Sequence, residues 1–213
     1  LASELVVLAG LVVLLPGLPL TVGMVELATG HLASGTARMA GGLVALLALT
    51  LGVALGHVVA EPWLGAPAGD LVAPLGLSGA PFVALAPVAF AIQLRARPSE
   101  FGWIFAGTMV GLVAARVGHV VLGEQLAAFA GALALGVFAN AFARTRHRPA
   151  TVVLTPGLLT LVPGSIGYRA AHLFVEDNTV AAVATAFDAS LVAIALAGGI
   201  LIANTLLSPR RSL

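Results

Sequence analysis

The chain has 213 residues, 60% of them hydrophobic and 9% charged, with a formal net charge of +1 and a mean hydropathy of +1.08. A soluble domain carries about 25% charged residues, so this chain cannot clothe a water-exposed surface, and it reads as an all-α polytopic membrane protein. The scattered basic residues and near-neutral charge exclude nucleic acid as a partner, and the lack of cysteine excludes disulfides, thiolate catalysis and Cys-ligated metals.

A helix rises about 1.5 Å per residue, so roughly 20 apolar residues cross the hydrocarbon. Seven transmembrane helices are predicted in chain order. The first covers 4–33 and is interrupted at Pro16-Gly17; with no basic region ahead of it in this sequence, it is expected to be a span rather than a signal peptide. The first residue is Leu rather than Met, from which the sequence is expected to be processed or part of a longer one. The second span covers 37–60 and runs into a Pro/Gly-rich loop over 61–79. The third, fourth and fifth cover 80–96, 101–122 and 124–143. The sixth, 150–174, is interrupted at Pro156-Gly157 and again at Pro163-Gly164, and the seventh covers 178–207.

All ten basic residues are arginine, and they set the orientation. Arg38, the Arg95/Arg97 pair, the Arg144/Arg146/Arg148 cluster and the Arg210/Arg211 pair fall in alternate loops, which places those loops and the C-terminus in the cytoplasm. The opposite loops hold Glu61, Asp70, Glu124, Glu176 and Asp177 and no basic residue. Trp63 and Trp103 fall close to the interfaces, where an aromatic belt belongs.

The two interrupted spans resemble each other. Pro16, Gly17, Leu18 and Val22 recur at Pro156, Gly157, Leu158 and Val162, with a Thr after each Pro-Gly pair and a His-Leu closing each block. Spans one and six are an odd number of crossings apart, so the copies run in opposite directions, as in the inverted repeats of secondary transporters. The period of five predicts a 5+5 protein. Residues 1–60 would then be the last two spans of the first repeat, 61–79 an extracytoplasmic loop and 80–213 the whole second repeat, with three N-terminal spans missing. Proline removes an N–H and crowds the preceding turn, and in lipid such breaks persist where protein or a wet cavity re-satisfies the backbone. The restarting half-helices would present free N–H groups to a carboxylate.

At "PGLPLTVGMVELATGHLASGTARMAGG" and "TPGLLTLVPGSIGYRA" the chain resembles the threonine/serine exporter family over essentially its whole length. The first block is similar to the signature near the end of the family's N-terminal membrane module, the second to that of its C-terminal module. The resemblance implies ten spans, sometimes split between two chains, and export of threonine and serine driven by the proton gradient. A dicarboxylate-exporting branch also exists, and a non-transporting partner subunit of a split transporter is a further alternative. A homo-oligomer or a separate N-terminal module are the protein partners this leaves open.

Ionisable and hydroxyl groups inside spans are the candidate site residues. Glu26 can take a substrate ammonium or carry the coupled proton; alternatively it pairs with Arg38 or His31. Asp188, about ten residues into span seven, is the second proton-coupling candidate, or it pairs with Arg116. Arg169 can clamp a carboxylate through its planar fork or snorkel to the interface. Thr21, Thr160 and Ser165 can hydrogen-bond substrate or satisfy carbonyls freed at the breaks. His31, His57, His119 and His172 are interfacial and read as structural, and His147 as loop charge. Asn140, Asn204 and Tyr168 suit interhelical hydrogen bonds. No metal site or cofactor is implied, and no H-E-x-x-H occurs. An intramembrane serine hydrolase built on Ser165 and His172 is disfavoured, since seven helical residues separate them by about 10 Å. No catalytic residue is assigned.

Overall fold

The computed structural model describes residues 14–64, 80–161, 164–175 and 178–208. Regular structure among them is helical: α1 Gly17–Ala28, α2 Leu32–Leu64, α3 Ala80–Gln93, α4 Phe101–Leu122, α5 Glu124–Arg146, α6 Thr151–Leu161, α7 Gly164–Val175 and α8 Thr179–Leu206, with a 3-10 turn at Pro98–Glu100 leading into α4. Among the described residues, five stretches are long and apolar enough to cross a membrane: Leu32–Ala60, Pro98–Leu122, Leu126–Arg146, Thr151–Ala170 and Thr179–Leu206. A helix satisfies its own backbone, which is what an apolar solvent demands of a spanning segment.

The centre of the bundle is α5. Its Ala132, Leu135, Ala139 and Phe142 recur at helical spacing and meet Val153 and Leu158 of α6 and Leu196 and Ile200 of α8. Small residues decide how close the helices come, as expected where lipid offers no hydrophobic drive for association. The GxxxG pair Gly107 and Gly111 on α4 faces Phe138, Leu135 and the Gly131 carbonyl of α5. On α8, a Cβ added at Gly199 would stand 2.6 Å from the Phe129 carbonyl oxygen and 2.9 Å from the Leu133 nitrogen. That is backbone against backbone. Asn140 and Asn204 then hydrogen-bond across the same α5–α8 seam at 2.9 Å, as their residue types predicted.

The arginine-rich end carries specific bonds. Arg144 donates to the Ser208 carbonyl from Nε at 3.1 Å and Nη2 at 2.9 Å, satisfying a carbonyl beyond the end of α8. Trp103 packs on Phe138 and Phe142, and the Arg146 guanidinium lies 5.1 Å from its ring centroid. Apart from Thr50, α2 is apolar from Met39 to Gly56: Leu43, Leu47, Leu51 and Leu55 form an exposed stripe, while Gly42, Leu46 and Thr50 turn inward. α2 also continues through Pro62 to Leu64, beyond the boundary predicted at 60.

Two sequence expectations need correction. The first predicted span was carried to residue 33, but α1 stops at Ala28. The His31 N–H bonds the Glu26 carbonyl at 2.8 Å, the Gly30 N–H bonds that of Leu27 at 3.1 Å, and Gly30 has φ +84°. This is a Schellman motif, which needs the left-handed backbone that glycine supplies. The break expected at Pro156-Gly157 is absent, because α6 runs through Pro156. Proline costs one helix bond there, at the carbonyl of Val152, and both residues line a cavity where that carbonyl can find another partner. α6 ends at Leu161 and α7 begins at Gly164; Val162 and Pro163, where the other break was placed, lie outside the described residues.

The α5–α8 contact yields a stability prediction. Gly199→Val forces backbone atoms apart and is expected to cost about 1–3 kcal/mol, as overpacking does. Gly52→Ala, at a position with nothing within 4 Å of the added Cβ, should leave stability unchanged or raise it by up to about 1 kcal/mol. Thermal unfolding in detergent checks both.

Candidate functional site

The stretch that opens at Pro16 builds the site. Pro16 stands just before α1, and its carbonyl accepts the Leu20 N–H at 3.1 Å. α1 and α2 then fold into a hairpin across Thr29–His31, and Gly23 and Gly35 let the two backbones approach. A Cβ at Gly35 would lie 2.9 Å from the Gly23 carbonyl oxygen.

This hairpin brings Glu26 to Arg38. Arg38 Nε donates to Glu26 Oε1 at 2.8 Å. Of the two pairings that the sequence left open, the structure takes this one; His31 Nδ1 instead lies 3.0 Å from Thr29 Oγ1. The arginine side chain is 53% exposed and the glutamate 21%, so the pair stabilises by only about 0.2–1 kcal/mol. The other carboxylate oxygen, Oε2, is buried without a hydrogen-bond partner among the described residues.

Thr21, five residues earlier, is wholly buried, and its Oγ1 also lacks a partner there. Leaving a buried polar atom unpaired costs about 1–3 kcal/mol, so such atoms in a native structure ask for a ligand or water. Other buried threonines avoid the cost: Thr50 bonds the Leu46 carbonyl and Thr108 that of Ile104, each at 2.8 Å.

The remaining candidates are not gathered here. Thr160 Oγ1 donates to the Gly157 carbonyl at 2.7 Å, the backbone-satisfying role. The Ser165 side chain lies outside the described residues. Arg169 on α7 and Asp188 on α8 are exposed, with no hydrogen bond or ion pair among the described residues. The alternative pairing of Asp188 with Arg116 is not formed there, because α5 packs against both α4 and α8 and stands between them. His172 rests against the ring of Tyr168, centroids 6.0 Å apart.

A cavity of about 320 Å³ lies where α1, α2, α7 and α8 meet, joining elements of the first and sixth predicted spans. Its lining is mostly apolar, with Leu20, Met24 and Met39 on one side and Gly167 and Ala186 on the other. Ser190, also on the wall, bonds the Ala186 carbonyl at 2.9 Å. Of the sequence-predicted site residues with described side chains, Thr21, Glu26, Thr160, Arg169 and Asp188, none lines it. Sequence reasoning missed this wall because it searched for polar groups. The available signal was small residues at helical spacing, Gly167/Ala170 facing Ala186/Ala189/Ala193.

Residues 80–206 match a family model described as "Threonine/Serine exporter, ThrE", and residues 1–60 match a second threonine/serine exporter model. A protein of Mycobacterium tuberculosis named "Probable threonine/serine exporter" is similar, at 31% identity over 162 residues. The match takes in 73% of this chain and 29% of that protein, so the chain spans less than a third of the relative's length. No solved structure matches the chain.

Thr21 separates a structural hydroxyl from a functional one. Thr21→Val keeps the shape and removes the unpaired oxygen, so it should leave the melting temperature unchanged or raise stability by about 1 kcal/mol. Thermal unfolding of the purified variant reads this directly; a clear loss would mean that the hydroxyl already has a structural partner.

Proposed function

The chain belongs to the threonine/serine exporter family, and from that premise we propose that it is a membrane component of a secondary active exporter of small amino acids, threonine or serine, driven by the proton gradient. The observation that carries the reading is the pair of buried oxygens on α1 that lack a hydrogen-bond partner among the described residues, Thr21 Oγ1 and Glu26 Oε2. A zwitterionic hydroxy-amino acid offers what each lacks, an ammonium for the carboxylate and a hydroxyl for the threonine.

In this reading Arg38 holds one oxygen of Glu26 and leaves the other for the substrate ammonium or a proton. The two cannot occupy Oε2 together, and that competition is a simple way to couple export of one to entry of the other. The half-helix end at Gly17 offers free N–H groups toward the substrate carboxylate. Arg169, Thr160, Ser165 and Asp188 enter as further binding and proton-carrying groups to be tested one by one. The cavity shared by α1 and α7 supports pairing the first and sixth spans as related halves of an inverted repeat that rock against each other. The arginine distribution supports a cytoplasmic C-terminus in a bacterial inner membrane. In this reading the complete transporter has a 5+5 arrangement.

Proteoliposome transport tests the assignment. Glu26→Gln should lower proton-driven threonine and serine flux roughly ten- to hundredfold, the loss of a hydrogen bond to a charged group, with the protein still folded. Arg169→Ala should lower it if its fork holds the carboxylate. Unchanged flux in either variant removes that residue from the mechanism, and a preference for dicarboxylates in the substrate panel would replace the amino-acid assignment.

A further inference from the structure

A second cavity, of about 470 Å³, lies at the arginine-rich end of the bundle. Its walls are the loop after α3, the start of α4 and the segment entering α6. Three guanidinium-bearing residues, Arg95, Arg97 and Arg148, line it against one carboxylate, Glu100. Glu100 already accepts the Arg97 backbone N–H at 3.4 Å.

The three arginines differ from others nearby. Arg38 bonds Glu26, Arg144 bonds the end of α8, and Arg146 covers Trp103. Arg95, Arg97 and Arg148 have no hydrogen bond or ion pair to their guanidinium groups among the described residues. Arg95 is delivered to the cavity by its backbone: the Ala96 N–H bonds the Ala91 carbonyl at 2.9 Å, that of Arg95 bonds Ile92 at 3.0 Å, and Arg95 has φ +53°. It thus holds the left-handed place of a helix-ending motif, where glycine is commonest. The start of α6 adds little, because the N–H groups of Val152, Val153 and Leu154 are already taken by the Pro149 and Ala150 carbonyls. Any anion here is held by side chains: guanidinium forks, with the Thr151 and Thr155 hydroxyls on the same wall.

We infer that this cavity binds a phosphate group, carried by an anionic phospholipid headgroup. Charge selects the ligand. A zwitterionic amino acid would leave the excess positive charge uncompensated and would set its ammonium against three guanidiniums. A phosphate accepts planar, two-pronged bonds from arginine. The setting selects the source. Leu94, Ala96, Ile104 and Val152 give the cavity an apolar side, and Ile92, one turn before its rim, is 62% exposed. Headgroup and acyl chain are both accommodated, as in basic pockets between transmembrane helices. Bound there, the lipid ties α3, which packs on α4 and α6, to the rest of the bundle. The inference is independent of what the protein exports.

The test is thermal unfolding of the purified full chain in non-ionic detergent, titrated with phosphatidylglycerol, phosphatidylcholine or inorganic phosphate. Phosphatidylglycerol should raise the melting temperature and phosphatidylcholine should not. Arg148→Lys and, separately, Arg97→Lys keep the charge that anchors the loops but lose the fork, and each should weaken the phosphatidylglycerol effect about tenfold. Arg144→Lys, outside the cavity, should retain it. Protection by inorganic phosphate alone, lost in the same variants, would keep the phosphate site and assign it to free phosphate. Equal protection by the two lipids, or an undiminished phosphatidylglycerol effect in both cavity variants, overturns the proposal.

Discussion

Helices α5 and α8 meet backbone to backbone at Gly199, and the rest of the bundle is arranged around that contact. With no side chain at 199, the Phe129 carbonyl and the Leu133 nitrogen can come within the space a Cβ would fill. Dispersion between close-packed backbones replaces the hydrophobic drive that lipid removes. α5 then has one face for α8, one for the glycines of α4 and one for α6, so its inward residues Leu135 and Ala139 are fully buried. Asn140 and Asn204 fix the axial register of the seam through one hydrogen bond, of a kind that contributes about 0.6 kcal/mol on average inside membranes.

The same solvent makes polar satisfaction the clearest guide to function. Most hydroxyls in the helices fold back onto a carbonyl three or four residues earlier, as at Thr50, Thr108, Thr160 and Thr185. A hydroxyl used in this way is closed to a ligand. Thr21 and the second oxygen of Glu26 depart from the pattern on α1, a helix that starts immediately after a proline. The tight turn at Thr29–His31 matters equally, since it places Arg38 of α2 beside Glu26 of α1.

Two cavities divide the chemistry. The one among α1, α2, α7 and α8 is apolar, with Leu and Met on one side and small residues on the other; the one at the arginine-rich end is cationic and lies among the loop after α3 and the starts of α4 and α6. Pro156 of α6 lines the cationic cavity and Gly167 of α7 the apolar one.

Composition and span length were enough to determine an all-helical membrane protein, because continuous apolar runs of about 20 residues suit spanning helices rather than the roughly ten-residue alternating strands of a barrel. The family was legible in the Pro16–Arg38 block, and Glu26 could be singled out because a carboxylate inside a span is costly. What the sequence could not determine was which partner each polar group finds. Glu26 had two candidate cations and Asp188 one; only the packing of α1 on α2 chose Arg38, and the position of α5 kept Arg116 away from Asp188. Proline was ambiguous for the same reason. Pro16 precedes a helix while Pro156 sits within one, since the outcome depends on whether the surroundings can re-satisfy the lost bond. Nor does a pattern of small apolar residues announce a cavity, because empty space is a property of two facing helices and is written in neither one alone.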